Sequence, residues 1–312
     1  MRAVRCKGNE VEVVEVDRPE GDGVRVKVRA AGICGSDLHM LHGPAPPPIT
    51  LGHEIAGFAE DGTPVAVEPL SPCLECEPCR GGDIQLCVRG PTIIHGVVRE
   101  GGMADEMLVP ARALVPLARG LDPANASLVE PLAVTQHGLR LARLRGDQRV
   151  LVVGAGTIGL CAAAMARASG ASVDVVARHD SQREVADRLG CGEPEGSYDL
   201  VVDAAGSESA LEVAVNACKP GGTLSIVASY WEGRVSLPAF PLCLKEVRVV
   251  PASLYGNEGA VRDIEVAAAL LARQPELADL LITHRFPLDA APEAFQVAND
   301  RAAGAIKVVL EP

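Results

Sequence analysis

The sequence predicts an α/β protein in two parts: a β-rich first part, then a doubly wound parallel sheet in the middle of the chain. Three observations carry this. Residues 1 to about 30 alternate apolar and polar in the manner of half-buried strands. From Arg149 the pattern changes to an unbroken apolar strand, Val150-Leu151-Val152-Val153, which runs through a glycine-rich turn into an alanine-rich helix. Strands and helices then alternate, as they do when helices cover both faces of a parallel sheet.

A chain of 312 residues can build two cores, and with aromatics at only 3% those cores must come from Ala, Val and Leu. The net charge of −12 argues against a nucleic-acid partner, which needs a basic face. The longest uncharged run, between Arg149 and Arg167, is broken by glycines and too short to span a bilayer. The start, Met1-Arg2-Ala3-Val4-Arg5, lacks the apolar run of a signal peptide. A soluble, cytoplasmic protein with no membrane partner is therefore expected.

In the first part, Val11, Val13 and Val16 form one strand-like run. Val24, Val26 and Val28 interleave with Arg25, Lys27 and Arg29 in a second, and Glu20-Gly21-Asp22-Gly23 turns between them. Cys34-Gly35-Ser36-Asp37-Leu38-His39 follows, then the Pro44 to Pro48 loop, then Gly52-His53-Glu54. This stretch offers a sulfur, an imidazole and a carboxylate, the ligand types of a catalytic zinc that keeps one position open. Each part alone has a blander reading, Cys34 as a small core residue and the Gly-His-Glu as nothing in particular. Short strands are expected near Ile55 to Ala59 and Val65 to Val67, making a small barrel or sandwich with its functional groups on loops.

Cys73, Cys76, Cys79 and Cys87 follow the pattern C-x2-C-x2-C-x7-C. Four thiolates at such intervals close a tetrahedron around a structural zinc and leave no position for chemistry. Free thiols on a polar loop would be exposed to oxidation, and a zinc ribbon on nucleic acid conflicts with the acidic charge. The other cysteines are scattered, which reads as reduced thiols. Residues 92 to 116 look strand-like. Leu128 to His137 reads as a helix start with Pro131 at its first position, where Glu130 could simply favour the positive helix end.

Gly154-Ala155-Gly156-Thr157-Ile158-Gly159, with strand before and helix after, is a dinucleotide fingerprint. The first Gly turns the chain, the second admits the pyrophosphate and the third lets helix pack on strand, with the phosphates at the helix N-terminus. The next strand, Ser172 to Ala177, ends in Arg178-His179, with Arg183 a helical turn on. An acid there accepts the ribose hydroxyls of NAD; arginine instead pairs with the 2′-phosphate of NADP. Arg178 as an ordinary solvated charge is the alternative. Further units follow at Leu200 to Gly206, which contains Ala204, at Gly222 to Ala228 and at Val247 to Ala252. After the helix around Asp263 to Arg273 the pattern shifts at Leu281 to Phe286, and Gly304 to Leu310 is a last strand expected to rejoin the first part.

These motifs in this order resemble the zinc-dependent medium-chain alcohol dehydrogenases over nearly the whole chain. Glu130, standing where alcohol dehydrogenases proper carry a cysteine, points to the branch of sorbitol, threonine and glucose dehydrogenases. The resemblance implies a GroES-like catalytic domain (1–125, with the structural zinc loop), a Rossmann cofactor domain (126–280) and a return to the first domain (281–312). It implies that Cys34 and His53 bind catalytic zinc, with Glu54 as direct or alternating ligand and Glu130 as ligand or through water. Asp37 would orient His53, and Ser36 and His39 would carry the alcohol proton to solvent. The cofactor contacts would be Gly154, Gly156, Thr157, Ile158, Gly159, Arg178, His179, Arg183 and Ala204, with Lys307 on the pyrophosphate. Relatives are homodimers or homotetramers.

Three departures stand out: a shortened segment between Gly57 and Cys73, Met103 in place of a pocket aromatic, and Ala177-Arg178 in place of the NAD acid. The implied reaction is hydride transfer between NADP(H), less readily NAD(H), and a secondary alcohol, polyol or sugar. An amino alcohol or aldose as substrate, or a non-catalytic NADPH-binding relative, are the alternatives.

Overall fold

A computed structural model describes residues 1–43, 46–231, 233–300 and 302–312, and the elements and contacts below are those of the described residues. Pro44 lies outside them, so the proline-rich loop is described from Pro46 onward. The chain forms two compact units, Met1–Glu130 with Gly256–Pro312, and Pro131–Tyr255.

The first unit opens with β1 (Arg2–Lys7), β2 (Glu10–Glu15), β3 (Val24–Ile33), α1 (Gly35–Leu41), β4 (Glu54–Ala59), β5 (Pro64–Val67), α2 (Glu77–Gly81), β6 (Glu106–Val109) and β7 (Leu114–Pro116). Helix α3 (Val129–Leu141) leads into the second unit, which holds β8 (Arg149–Val153), α4 (Thr157–Ala168), β9 (Ser172–Val176), α5 (Asp180–Arg188), β10 (Tyr198–Asp203), α6 (Glu208–Ala217), β11 (Cys218–Ile226), α7 (Ala239–Leu244) and β12 (Arg248–Pro251). The chain then returns to the first unit through β13 (Asn257–Glu258), β14 (Val261–Arg262), α8 (Asp263–Arg273), α9 (Glu276–Leu281), β15 (Ile282–Pro287), α10 (Ala291–Asn299) and β16 (Lys307–Glu311).

The first unit is organised on β3. Its strand partners are β4, β6 and β16, all antiparallel, and the sheet order is β15-β16-β3-β4-β5-β7, with β6 also on β3. The alternation of Val24, Val26 and Val28 turns one face to a core shared by Val4, Ile55, Val65, Met103, Val308 and, from the returning tail, Leu288 and Phe295. Each such side chain, fully buried, contributes about 1.5–3 kcal/mol, so many small aliphatics replace the missing aromatics. Met103 is fully buried in this cluster.

The second unit is a parallel sheet of order β12-β11-β10-β8-β9. Its central strand β8 is buried from Val150 to Val153, which explains the unbroken apolar run. Residues Cys161 to Ala164 of α4 are all buried, small enough to bring the helix close to the sheet.

Several details differ from the sequence reading. The two compact units are bounded at Glu130/Pro131 and at Tyr255/Gly256. Helical periodicity in α8 and α9 shows that a helix forms but not which sheet it covers; Ile264, Leu270 and Leu277 are buried within the first unit. Residues 92–105 form a 3-10 turn (Gly90–Ile93) and isolated bridges instead of continuous strand. α3 begins at Val129, directly after a 3-10 turn over Pro123–Leu128, so Pro131 sits inside the first turn and not at its head. Its missing amide still costs nothing there, because first-turn amides have no helical partner. Among the described residues no helix is long and apolar enough to cross a membrane.

Candidate active site

The zinc-type stretch assembles where β3 ends and β4 begins. Cys34 is the N-cap of α1, with extended φ and ψ of −98° and 155°, and its amide donates to Asp37 Oδ2 at 2.9 Å. That bond ties the loop to the first helical turn, as N-cap chemistry requires. Ser36 and His39, three apart on α1, lie on one side of the helix, with His39 exposed. Strand β4 begins at Glu54, so His53 and Glu54 enter the site from the paired sheet.

One donor atom from each of Cys34, His53 and Glu54 lies within 4.8 Å of the others, and His53 and Glu54 are buried. Soft sulfur, imidazole nitrogen and carboxylate oxygen in one buried spot are a donor set that suits zinc. Two buried polar atoms beside it, His53 Nδ1 and Asp37 Oδ1, have no hydrogen-bond partner and face each other at 3.6 Å. The other ring nitrogen, His53 Nε2, is 3.3 Å from Ser36 Oγ. Burial opposes a charged His53 ring, but the carboxylate of Asp37 and the Cys34 thiol outweigh it and push its pKa well up. Burial also raises Asp37.

Glu130 is 6% exposed at the start of α3. It lies outside the group of atoms that approach within 4.8 Å, yet its carboxyl is pushed up to about 7, first by burial, with Glu54 and Asp37 adding to it and His53 and Lys307 opposing. It therefore shares the electrostatic neighbourhood of the site.

Lys307 requires a correction. Its ammonium was expected on the cofactor pyrophosphate, but the side chain is buried and Nζ donates to both Glu54 oxygens at 2.6 Å and to Ile33 O at 2.9 Å. The pairing register explains this: Lys307 begins β16 beside Val308, which pairs with Ile33 on β3, and β3 pairs with Glu54 through Gly32.

The sulfur atoms of Cys73, Cys76, Cys79 and Cys87 also lie within 4.8 Å of one another. The amides of Cys73 and Cys76 point at Cys87 Sγ and Cys73 Sγ, each at 3.4 Å, as amides do around thiolates. Amides of Glu75 and Cys76 bring the Cys73 thiol down to about 6, while burial pushes Cys79 up to about 12. Four sulfurs so close cannot all carry charge unless a cation joins them, so this knot fits zinc.

In the second unit the glycines divide by purpose. Gly154 has φ of +102°, and a Cβ on Gly159 would lie 1.8 Å from Gly154 O. A Cβ on Gly156, the N-cap of α4, would meet nothing within 4 Å. Two of these glycines serve the fold, and the third leaves an approach to the amides of Thr157, Ile158 and Gly159 at the helix start. The amide of Ala204 donates to Val153 O at 3.0 Å, which places the end of β10 beside this turn.

Arg178, which is exposed, follows β9, and His179 is the N-cap of α5. Arg183 was expected to share the 2′-phosphate; instead its Nη1 donates to Ala177 O at 2.9 Å and its Nη2 pairs with Asp180. The sequence reading gave no role to Asp203, whose fully buried carboxylate accepts from the amides of Ala205 and Gly206 and from Tyr230 OH at 2.5 Å. An acid ending the apolar run Leu200-Val201-Val202 was its only signal.

Comparison with known proteins agrees with this geometry. Residues 20–119 match the alcohol dehydrogenase GroES-like domain and residues 157–273 the zinc-binding dehydrogenase domain. The chain is 32% identical to L-galactonate-5-dehydrogenase of Escherichia coli (strain K12), covering 92% of each, and 28% identical to D-xylulose reductase A of Aspergillus niger, covering 98% of this chain and 93% of that one. Galactitol-1-phosphate dehydrogenase from Escherichia coli superposes with a TM-score of 0.90 at 28% identity over all of both chains. A protein assigned as a zinc-binding dehydrogenase from Sinorhizobium meliloti 1021, solved with NADP bound, gives 0.87 at 30% identity over 100% of this chain and 99% of that one. The chain belongs to the zinc-binding alcohol dehydrogenase family, with a GroES-like unit and a Rossmann-type unit, and is an NAD(P)-linked oxidoreductase.

Proposed function

We propose that this chain interconverts a secondary hydroxyl and a ketone on a polyol or sugar derivative, using NADP(H). The observation that carries it is the buried meeting of Cys34, His53 and Glu54 in one place, with Glu130 in electrostatic reach. The names of the relatives, acting on galactonate, xylulose and galactitol phosphate, favour a polyhydroxylated substrate over an amino alcohol.

Cys34 and His53 would hold zinc, with Glu54 as direct or alternating ligand and Glu130 as ligand or through water; the ion would supply the Lewis acidity that lowers the pKa of the substrate hydroxyl. The protein's own residues do the rest. Asp37 stands behind His53 and orients its ring. Ser36 receives the hydroxyl proton and passes it toward exposed His39 on the same side of α1. The turn from Gly154 to Gly159 holds the pyrophosphate at the start of α4, and Arg178 meets the 2′-phosphate. Cys73, Cys76, Cys79 and Cys87 would hold a second zinc that ties their lobe together.

All ten cysteines are unpaired, which suits a reducing cytoplasm. The free edge of β12 and the exposed Phe240 and Leu244 of α7 are surfaces that a second copy would cover in a homodimer or homotetramer.

Initial rates on a panel of polyols, sugar acids and threonine, each with NAD and NADP, test the reading. Turnover confined to threonine would reject the polyol assignment. Cys34→Ser should abolish turnover and leave NADPH binding intact; unchanged turnover would reject the metal assignment.

A further inference from the structure

Asp203 joins neighbouring strand ends of the second unit. It closes β10 and is fully buried. Its Oδ1 accepts from the amides of Ala205 and Gly206 at 3.1 and 3.3 Å, and its Oδ2 accepts from Tyr230 OH at 2.5 Å. Its main-chain oxygen accepts from the amides of Val227 and Ala228 at 3.0 and 3.1 Å. Five donors thus converge on one residue, two from the chain beyond β10 and three from the chain beyond β11. Close packing extends the link. A Cβ on Gly206 would lie 3.0 Å from Ser229 O, and one on Gly154 would lie 3.0 Å from the Ala205 methyl. The first glycine of the nucleotide turn, residues 204–206 and residues 227–230 therefore stand side by side at the carboxyl ends of β8, β10 and β11. The Tyr230 ring packs on the core of this unit, and burial with the Asp203 bond pushes its pKa up, so the hydroxyl stays a donor.

Ligands of an open parallel sheet lie beyond the carboxyl ends of its strands. The order β11-β10-β8-β9 sets Arg178, after β9, on one side of the nucleotide turn and the Asp203 cluster on the other. With the 2′-phosphate half of the cofactor over β9 and the pyrophosphate at the turn, the nicotinamide half falls over β10 and β11. We propose that Tyr230 is a positioning residue for that half: its bond to Asp203 fixes residues 204–206 and 227–229 in the arrangement the nicotinamide half meets, an inference that rests on the cofactor reading above. Tyr230 need not touch the cofactor to do this. A wall held in advance does not have to be ordered when the cofactor binds, so affinity is kept.

Calorimetric titration of the intact protein with NADPH and with adenosine 2′,5′-bisphosphate separates the two halves of the cofactor. Tyr230→Phe keeps the ring and removes the donor. It should weaken NADPH binding about tenfold, close to the low end for one charge-assisted hydrogen bond. Binding of the bisphosphate, which reaches only the β9 side of the turn, should be unchanged. A merely structural defect would weaken both alike. Hydrogen exchange of the cofactor-free variant should speed up severalfold over residues 203–206 and 227–230 and not over 154–159. Equal loss for both probes, unchanged NADPH binding, or unchanged exchange over 203–206 overturns the proposal. Should Tyr230→Phe fail to fold, Tyr230→Leu, which also lacks the donor, should give the same split between the probes. Wild-type protein that binds neither probe overturns the cofactor reading itself, a result distinct from failure of the Tyr230 bond.

Discussion

Asp37 Oδ1 lies 3.6 Å from His53 Nδ1, both side chains are buried, and neither atom has a hydrogen bond. An arrangement one step short of a hydrogen bond closes when the other ring nitrogen is ligated and the tautomer is fixed. Asp37→Asn should therefore weaken metal binding at this site about 10–100-fold and leave the cysteine knot loaded. Metal content after graded chelator treatment measures both sites at once.

The glycines of the nucleotide turn should separate in kind. Gly156→Ala places a methyl where nothing stands within 4 Å, so stability should stay within about 0.5 kcal/mol while KM for the cofactor rises. Gly159→Ala drives a Cβ to 1.8 Å from Gly154 O and should lower stability outright. Thermal melts beside cofactor titrations distinguish the two.

Arg178 and Arg183 should also differ. Losing a charge-assisted bond costs about 1.5–3 kcal/mol, so Arg178→Ala should lower kcat/KM for NADP about 10–100-fold and change that for NAD little. Arg183 is already committed to Ala177 O and Asp180, so Arg183→Ala should cost less in NADP kinetics. A ratio of kcat/KM favouring NAD in the wild type would contradict both.

His95 makes a stability prediction with a definite sign. Its Nδ1 contacts Glu100 O at 2.9 Å and its Nε2 contacts Ser71 Oγ at 2.9 Å, and burial lowers its pKa from 6.5. The unfolded ring takes a proton before the folded one does, so the unfolded chain binds more protons below about pH 6.5. This contribution is full above that pH and is lost as pH falls toward the folded value. His95→Gln should flatten the fall in Tm below about pH 6.5, as seen by melts across that range.

Cys76→Ser should remove one zinc per chain and lower Tm by at least about 5 °C, since binding free energy at such a knot is folding free energy. Elemental analysis and a melt check it together.

What the sequence showed plainly was whatever it keeps close together. The knot of Cys73, Cys76, Cys79 and Cys87 and the turn from Gly154 to Gly159 are contiguous, so spacing alone states their geometry. Strand period likewise marked Val24, Val26 and Val28. The partner of Glu54 was hidden because Lys307 is 253 residues away, and only the pairing of β16 with β3 brings them together. Gly32 carried no local signal, since its need is for space beside a side chain from another strand, not for an unusual backbone angle. The partner of Arg183 was hidden for a related reason: a charge at the right distance from a strand end says nothing of an acid, Asp180, already within reach.

The place of β16 bears on how the protein is made. The Ala31–Ile33 end of β3 lacks one of its neighbours until residues 308–310 have left the ribosome, whereas Pro131–Tyr255 is by then wholly synthesised. Vectorial synthesis would let the middle unit fold first and leave the earlier strands waiting with an open hydrogen-bonding edge, the condition in which nascent chains depend on chaperones. A ribosome stalled before Lys307 would carry a nascent chain whose Glu54 has no ammonium to hold it.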